Sequence, residues 1–189
     1  MLNFSNLETA ASAIAERTLE LVDKGISTPI ILIDGRAGSG KSTLAALLKN
    51  ELFREGESAP RVIHMDELYD GWDGLQAGVD YLQRLIISPV SNRKKASWQE
   101  FDWTLGERNR WREFEGQTPL IIEGCGSIAR LAADAAQIKI WVNAPDEVRY
   151  QRWLDREGSE ENFGRWAAQE VEFYARERST ELADITVSN

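Results

Sequence analysis

The 189 residues include one cysteine, one histidine, two methionines and five prolines. The lone Cys125 can close no internal disulfide and build no metal-thiolate framework, so it suits a reducing compartment. Positive charge is also scarce: 22 Lys and Arg stand against 31 Asp and Glu, a formal net charge of −9. Nucleic-acid affinity rests on clustered Lys and Arg, so no nucleic-acid partner is expected, and any phosphate site must be local. No apolar run approaches the ~20 residues of a membrane span, and the N-terminus lacks the basic stretch and apolar run of a secretory leader. A cytoplasmic location without a membrane partner is expected. The length suits one domain, residues 1–189.

The sequence does contain an apolar strand running straight into a glycine-rich turn: Ile30-Ile-Leu-Ile-Asp34, then Gly-x-x-x-x-Gly-Lys-Ser over Gly35–Ser42. This is a phosphate-binding P-loop. Converging backbone N–H groups must wrap a polyphosphate, and Gly35, Gly38 and Gly40 permit the sharp, close approach. The loop opens a helix whose unpaired first N–H groups and positive dipole end face the phosphates. Arg36, Ala37, Ser39 and Thr43 complete the nucleotide-binding segment. Lys41 is expected on the β- and γ-phosphates of ATP and the Ser42 hydroxyl on Mg²⁺.

Further apolar strands are expected near residues 61–65, 118–123, 138–143 and 183–187, with 29–34 making five. Helices are expected over the first 25 residues (Leu7, Ala11, Ile14, Leu21, Val22), 79–87 (stopped by Ser88-Pro89), 127–136, 145–156 and 160–178. Strands alternating with helices predict an α/β fold: a parallel sheet covered on both faces. The stretch 90–117 is polar, carries several aromatics and shows no clear periodicity.

Ligands of such sheets bind beyond the carboxyl ends of the strands, where three features fall: the P-loop, Asp66 and Glu123. Asp66 is the candidate general base for an acceptor hydroxyl, with neighbouring Glu67 able to exchange roles with it. Glu123 suits Mg²⁺ or its waters. Arg149, Arg152 and Arg156 share one helix face, which reads either as a salt-bridged surface or as cations closing over a transferred phosphoryl group. Arg152 and Arg156 are the catalytic candidates, on a lid over about 149–165. Between the second and third strands, about 66–117 forms the acceptor region. There Trp72 and Trp103 offer stacking surfaces, Asp102 or Arg108 a hydrogen bond to a polar edge, and the other aromatics core packing. His64 reads as a sheet residue and Arg93-Lys94-Lys95 as a solvated loop.

The series Gly35–Thr43, Asp66-Glu-Leu-Tyr69, Phe101-Asp-Trp103, Ile121-Ile-Glu-Gly124 and the arginines from Arg149 resembles the uridine kinase-like branch of the P-loop kinases. The resemblance implies a three-layer P-loop NTPase fold, with five parallel strands in kinase-type order 2-3-1-4-5. It also implies Asp66 as the base, Tyr69 and Asp102 at the substrate, and the arginines in the lid. Tyr69–Leu75 departs from the usual nucleoside-binding loop and looks more like a bacterial group of nucleoside/nucleotide kinase-like ATP-binding proteins. The function implied is transfer of the γ-phosphate of ATP to a hydroxyl of a nucleoside-like small molecule. The alternatives are a nucleoside monophosphate kinase and an ATP-binding regulator without kinase activity. A homodimer is compatible with the sequence.

Overall fold

A computed structural model describes residues 2–56 and 59–189. In chain order the elements are β1 (Leu2–Phe4), α1 (Leu7–Asp23), β2 (Ile30–Asp34), α2 (Lys41–Glu55), β3 (Arg61–His64), α3 (Leu75–Leu82), α4 (Ser88–Ser91), β4 (Ala96–Asp102), β5 (Glu107–Phe114), β6 (Leu120–Glu123), α5 (Arg130–Ala135), β7 (Ile138–Asn143), α6 (Asp146–Glu157), α7 (Phe163–Glu177), α8 (Ser179–Leu182) and β8 (Ile185–Ser188).

Six strands form one parallel sheet in the order β1-β8-β7-β2-β6-β3. All five residues of β2 are buried, as a central strand covered on both faces requires. Alternate residues divide between the two faces: Ile31 and Ile33 pack with α1 and α2, and Ile30 and Leu32 with the layer of α3, α5 and α7. The register carries the functional consequence. Ile33 pairs with Glu123, and Glu123 with His64, so β2, β6 and β3 end level and deliver their next residues to one rim.

The five expected strands occur in the expected order. The sixth, β1, was expected to be part of the first helix. Three residues are too few to show a period, and β1 owes its place to pairing with β8. Helix α1 instead starts at Leu7, where the Asn6 side chain accepts the Thr9 N–H at 2.9 Å. Met1, also within that expected helix, lies outside the described residues.

The helical path also continues past Ser88-Pro89 instead of stopping. It runs from α3 through a π-helical turn, Gln83–Ile87, into α4, with Pro89 just beyond that turn. The irregular stretch at 90–117 resolves into an antiparallel hairpin, β4–β5. A register shift between Glu100 and Phe101 breaks its alternation, and most of β5 is exposed, which removes the apolar pattern. Buried Ala96, Trp98 and Phe114 root the hairpin in the core.

Candidate functional site

The P-loop leaves β2 at Asp34 and enters α2 through Gly40, whose φ is 104°. A side chain on Gly38 would run into the Arg149 backbone at 2.4 Å, so glycine is required there. Asp34 anchors the turn from below. Its carboxylate accepts the N–H groups of Gly35, Gly126 and Ile128 at 2.7, 3.0 and 2.8 Å and the Tyr174 hydroxyl at 2.7 Å. Burial nevertheless pushes this carboxyl up to about 6, against the pull of those donors.

Lys41 is buried, and its ammonium donates to Arg36 O at 3.1 Å. Burial alone would lower its pKa, but the surrounding acids Glu123, Glu170 and Asp34 hold it above the ordinary value. Cys125 lies 3.5 Å from the same nitrogen, and burial pushes its thiol up, so it remains protonated. Ser42 Oγ donates to Glu123 Oε1 at 2.9 Å, and His64 Nδ1 meets the same oxygen at 2.6 Å. Burial raises Glu123, but His64, Lys41 and Ser42 outweigh it and hold this carboxyl below the ordinary range.

Beside this end of the P-loop lies a cavity of about 320 Å³, lined by Lys41, Ser42, Asp66, Tyr69, Trp72, Trp103, Glu123, Trp153, Arg156 and Trp166 among others. Asp66 follows β3 in a short 3₁₀ turn, Met65–Glu67. It stays open to the cavity, yet enclosure and then the charge of Glu123 raise its carboxyl above the ordinary range. Glu67 is outside the cavity lining. Tyr69 is buried, its hydroxyl donating to Cys125 O at 2.7 Å. The Trp103 indole N–H donates to Asp66 O at 2.8 Å and its ring lies 4.9 Å from that of Trp72.

Other expected site residues fall elsewhere. Asp102 caps its own hairpin turn, accepting from Thr104 N and Leu105 N at 2.9 and 3.0 Å. Arg108 lies 3.7 Å over the Tyr81 ring, pairs with Asp70 at 2.7 Å and donates to Leu68 O and Gln99 O. It thereby ties the hairpin to the segment after β3. Arg152 donates to the P-loop carbonyls of Gly38 and Ser39 at 3.1 and 3.4 Å, and buried Arg149 to Ala37 O at 3.1 Å. Of the three arginines, Arg156 lines the cavity.

Three further residues belong to the site beyond those expected: Trp153 and Trp166, which wall the cavity, and Glu170, whose buried carboxylate accepts Ala37 N at 2.6 Å. The signal was present in the spacing: Trp166, Glu170 and Tyr174 recur every four residues on one face of α7. His64, expected as a sheet residue, lies in β3 with its ring on Glu123.

A parallel α/β sheet with a glycine loop at the mouth of its central strand, a buried lysine and a helix opening behind it defines a P-loop nucleotide-binding protein of kinase-like fold. The chain belongs to the AAA domain family, which matches residues 31–174. Among solved structures it is similar to a protein described as a possible uridine kinase, from Bacillus stearothermophilus. That match has a TM-score of 0.70 and 18% identity, covering 95% of this chain and 98% of that one. It is also similar to one described, with the same reserve, as a fructose transport system kinase, from Silicibacter sp. TM1040, with a TM-score of 0.60 and 22% identity over 93% and 98% of the two chains. No curated protein matches the sequence. At these identities the likeness concerns the fold. Among the described residues, no helix is long and apolar enough to cross a membrane.

Proposed function

We propose that this protein is an ATP-dependent small-molecule kinase that moves the γ-phosphate of ATP to an acceptor hydroxyl. One observation carries the reading: the P-loop end, with Lys41 and Ser42, and the carboxylate of Asp66 open into the same aromatic-walled cavity. Phosphoryl transfer needs this arrangement of a charge-stabilised donor and an acceptor site within reach of it.

In this mechanism the loop amides and Lys41 hold the donor phosphates, Asp66 accepts the proton of the hydroxyl as it attacks, and Arg156 supplies charge from the acceptor side. Arg152 and Arg149 act on the loop carbonyls and keep its amides turned toward the phosphates. Ser42 and Glu123 would hold Mg²⁺. Among the described residues no three His, Cys, Asp or Glu side chains cluster as a metal cage. Two protein oxygens fit this ion, which takes its remaining ligands from phosphates and water. When bound it supplies neutralisation of phosphate charge.

The cavity also speaks against a nucleoside monophosphate acceptor. Its cations are Lys41 and Arg156, set against Asp66, Glu123 and Glu157, which is poor provision for a second phosphate. The test is ADP release with ATP, Mg²⁺ and a panel of nucleosides, nucleotides, sugars, amino alcohols and vitamin precursors. An acceptor that raises turnover well above the background ATPase is the expected result. Uniform background rates across a broad panel would favour an ATP-binding regulator instead.

A further inference from the structure

Beyond the donor end, the cavity is walled by Tyr69, Trp72, Trp103, Trp153 and Trp166. Planar bases are held in slots between parallel faces, and the ring pairs in contact here are far from parallel. Trp72 is inclined at 55° to Trp103, 52° to Trp153 and 83° to Trp166, with centroids 4.9, 5.5 and 6.3 Å apart, and Tyr69 is inclined at 62° to Trp166. These rings form a rounded box in which Trp72 and Trp103 keep accessible faces, while Tyr69, Trp153 and Trp166 are buried.

The side chains free to read the edge of a base are few: its polar groups are Lys41, Ser42, Arg156 and three carboxylates. Among the described residues lining the cavity there is no Asn, Gln, Thr or His. Three of the aromatic donors are already committed: Tyr69 to Cys125 O, Trp103 to Asp66 O, and Trp153 to Ser159 O at 3.1 Å. The Arg156 guanidinium already lies over the Trp153 ring, 5.4 Å from its centroid, so what remains is the π surface of Trp72 and Trp103 beside negative charge. Arg156 is paired with Glu157 at 2.7 Å, Lys41 belongs to the phosphate end, and Asp66 has no ion-pair partner among the described residues. Aromatic boxes with net negative charge attract cations through the electron-rich ring faces. The volume of about 320 Å³, shared with the phosphate end, is at the small end for a ligand site.

We propose that the acceptor is a small alcohol bearing a positively charged nitrogen, held by the tryptophan box with its hydroxyl directed to Asp66; this rests on the kinase reading. The hydroxyl oxygen bonds to the γ-phosphorus, and the bond from that phosphorus to the β,γ-bridging oxygen breaks. ADP leaves with the electron pair, and the hydroxyl proton passes to Asp66.

The experiment pairs calorimetric binding with the ADP assay. Choline, ethanolamine and glucosamine are compared with uridine, fructose and 3,3-dimethylbutan-1-ol, a neutral alcohol shaped like choline. The expected result is that at least one cationic alcohol binds, with choline binding roughly tenfold or more tighter than its neutral counterpart. Trp103→Leu, at a ring that is 40% exposed and can be replaced without opening the core, should weaken that binding about fivefold or more, and Trp103→Phe should restore most of it.

Equal binding of choline and the neutral alcohol overturns the inference, as does tighter binding and turnover of uridine or fructose, which would leave the kinase reading intact. Selective binding of the cations without turnover of any acceptor supports the box and removes the kinase reading.

Discussion

At the scale of single residues, Asp66 and Asp34 illustrate two uses of an acid at the end of a strand. Asp66 faces a cavity and has no ion-pair partner among the described residues, whereas Asp34 is surrounded by donors under the P-loop. Asp66→Asn keeps the shape and removes the base. Transfer in single-turnover assays should fall by roughly 10²-fold or more while the Kd for ATP is unchanged. Asp34 makes a prediction about stability. Its folded carboxyl titrates at about 6 against 3.8 when unfolded, so between those values the folded state binds the extra proton. Its contribution is therefore fullest at acid pH and is lost as pH rises through about 6. Compared with Asp34→Asn, the native protein should lose about 2 kcal/mol between pH 4.5 and 7, measured by denaturant unfolding of both proteins. Asp66 was legible as the acid that closes its strand, whereas Asp34 appeared only as the end of the strand before the P-loop, because nothing local distinguishes a charge facing a cavity from one buried among amides.

At the scale of elements, the parallel strands were legible because burial on both faces writes them as unbroken apolar runs such as Ile30–Ile33 and Leu120–Ile122. The β4–β5 hairpin was not, because its packing depends on partners distant in sequence. Arg108 is the clearest case: read as a substrate contact, it joins the hairpin to Leu68, Asp70 and Tyr81. Arg108→Ala should lower stability by about 1–3 kcal/mol in chemical denaturation, and Arg108→Lys should recover little, since an ammonium cannot reproduce a stacked, forked guanidinium. Helix α7 was expected over 160–178, but not its role, which lies in what it reaches. Glu170→Ala frees the Ala37 amide, and a nucleotide titration should show ATP affinity reduced about tenfold, with Glu170→Gln falling between.

At the scale of the whole molecule, a net charge of −9 leaves phosphate binding to local groups, with Lys41 lying among the acids Glu123, Glu170 and Asp34. A saturating nucleotide should therefore stabilise the fold strongly. At a hundredfold excess over Kd the gain is about 2.7 kcal/mol, a rise in Tm of roughly 5–10 °C by thermal shift, and Lys41→Ala should abolish it. The face of α7 adds a constraint of another kind. Trp166 meets the aromatic cavity, Glu170 the P-loop amide and Tyr174 the carboxylate beneath the loop, all from one rigid rod. The geometries of the P-loop and of the cavity are thus not independently adjustable. Reshaping the box at Trp166 to admit a bulkier alcohol shifts the rod that props the nucleotide loop, so a change in acceptor preference carries a change in the KM for ATP with it.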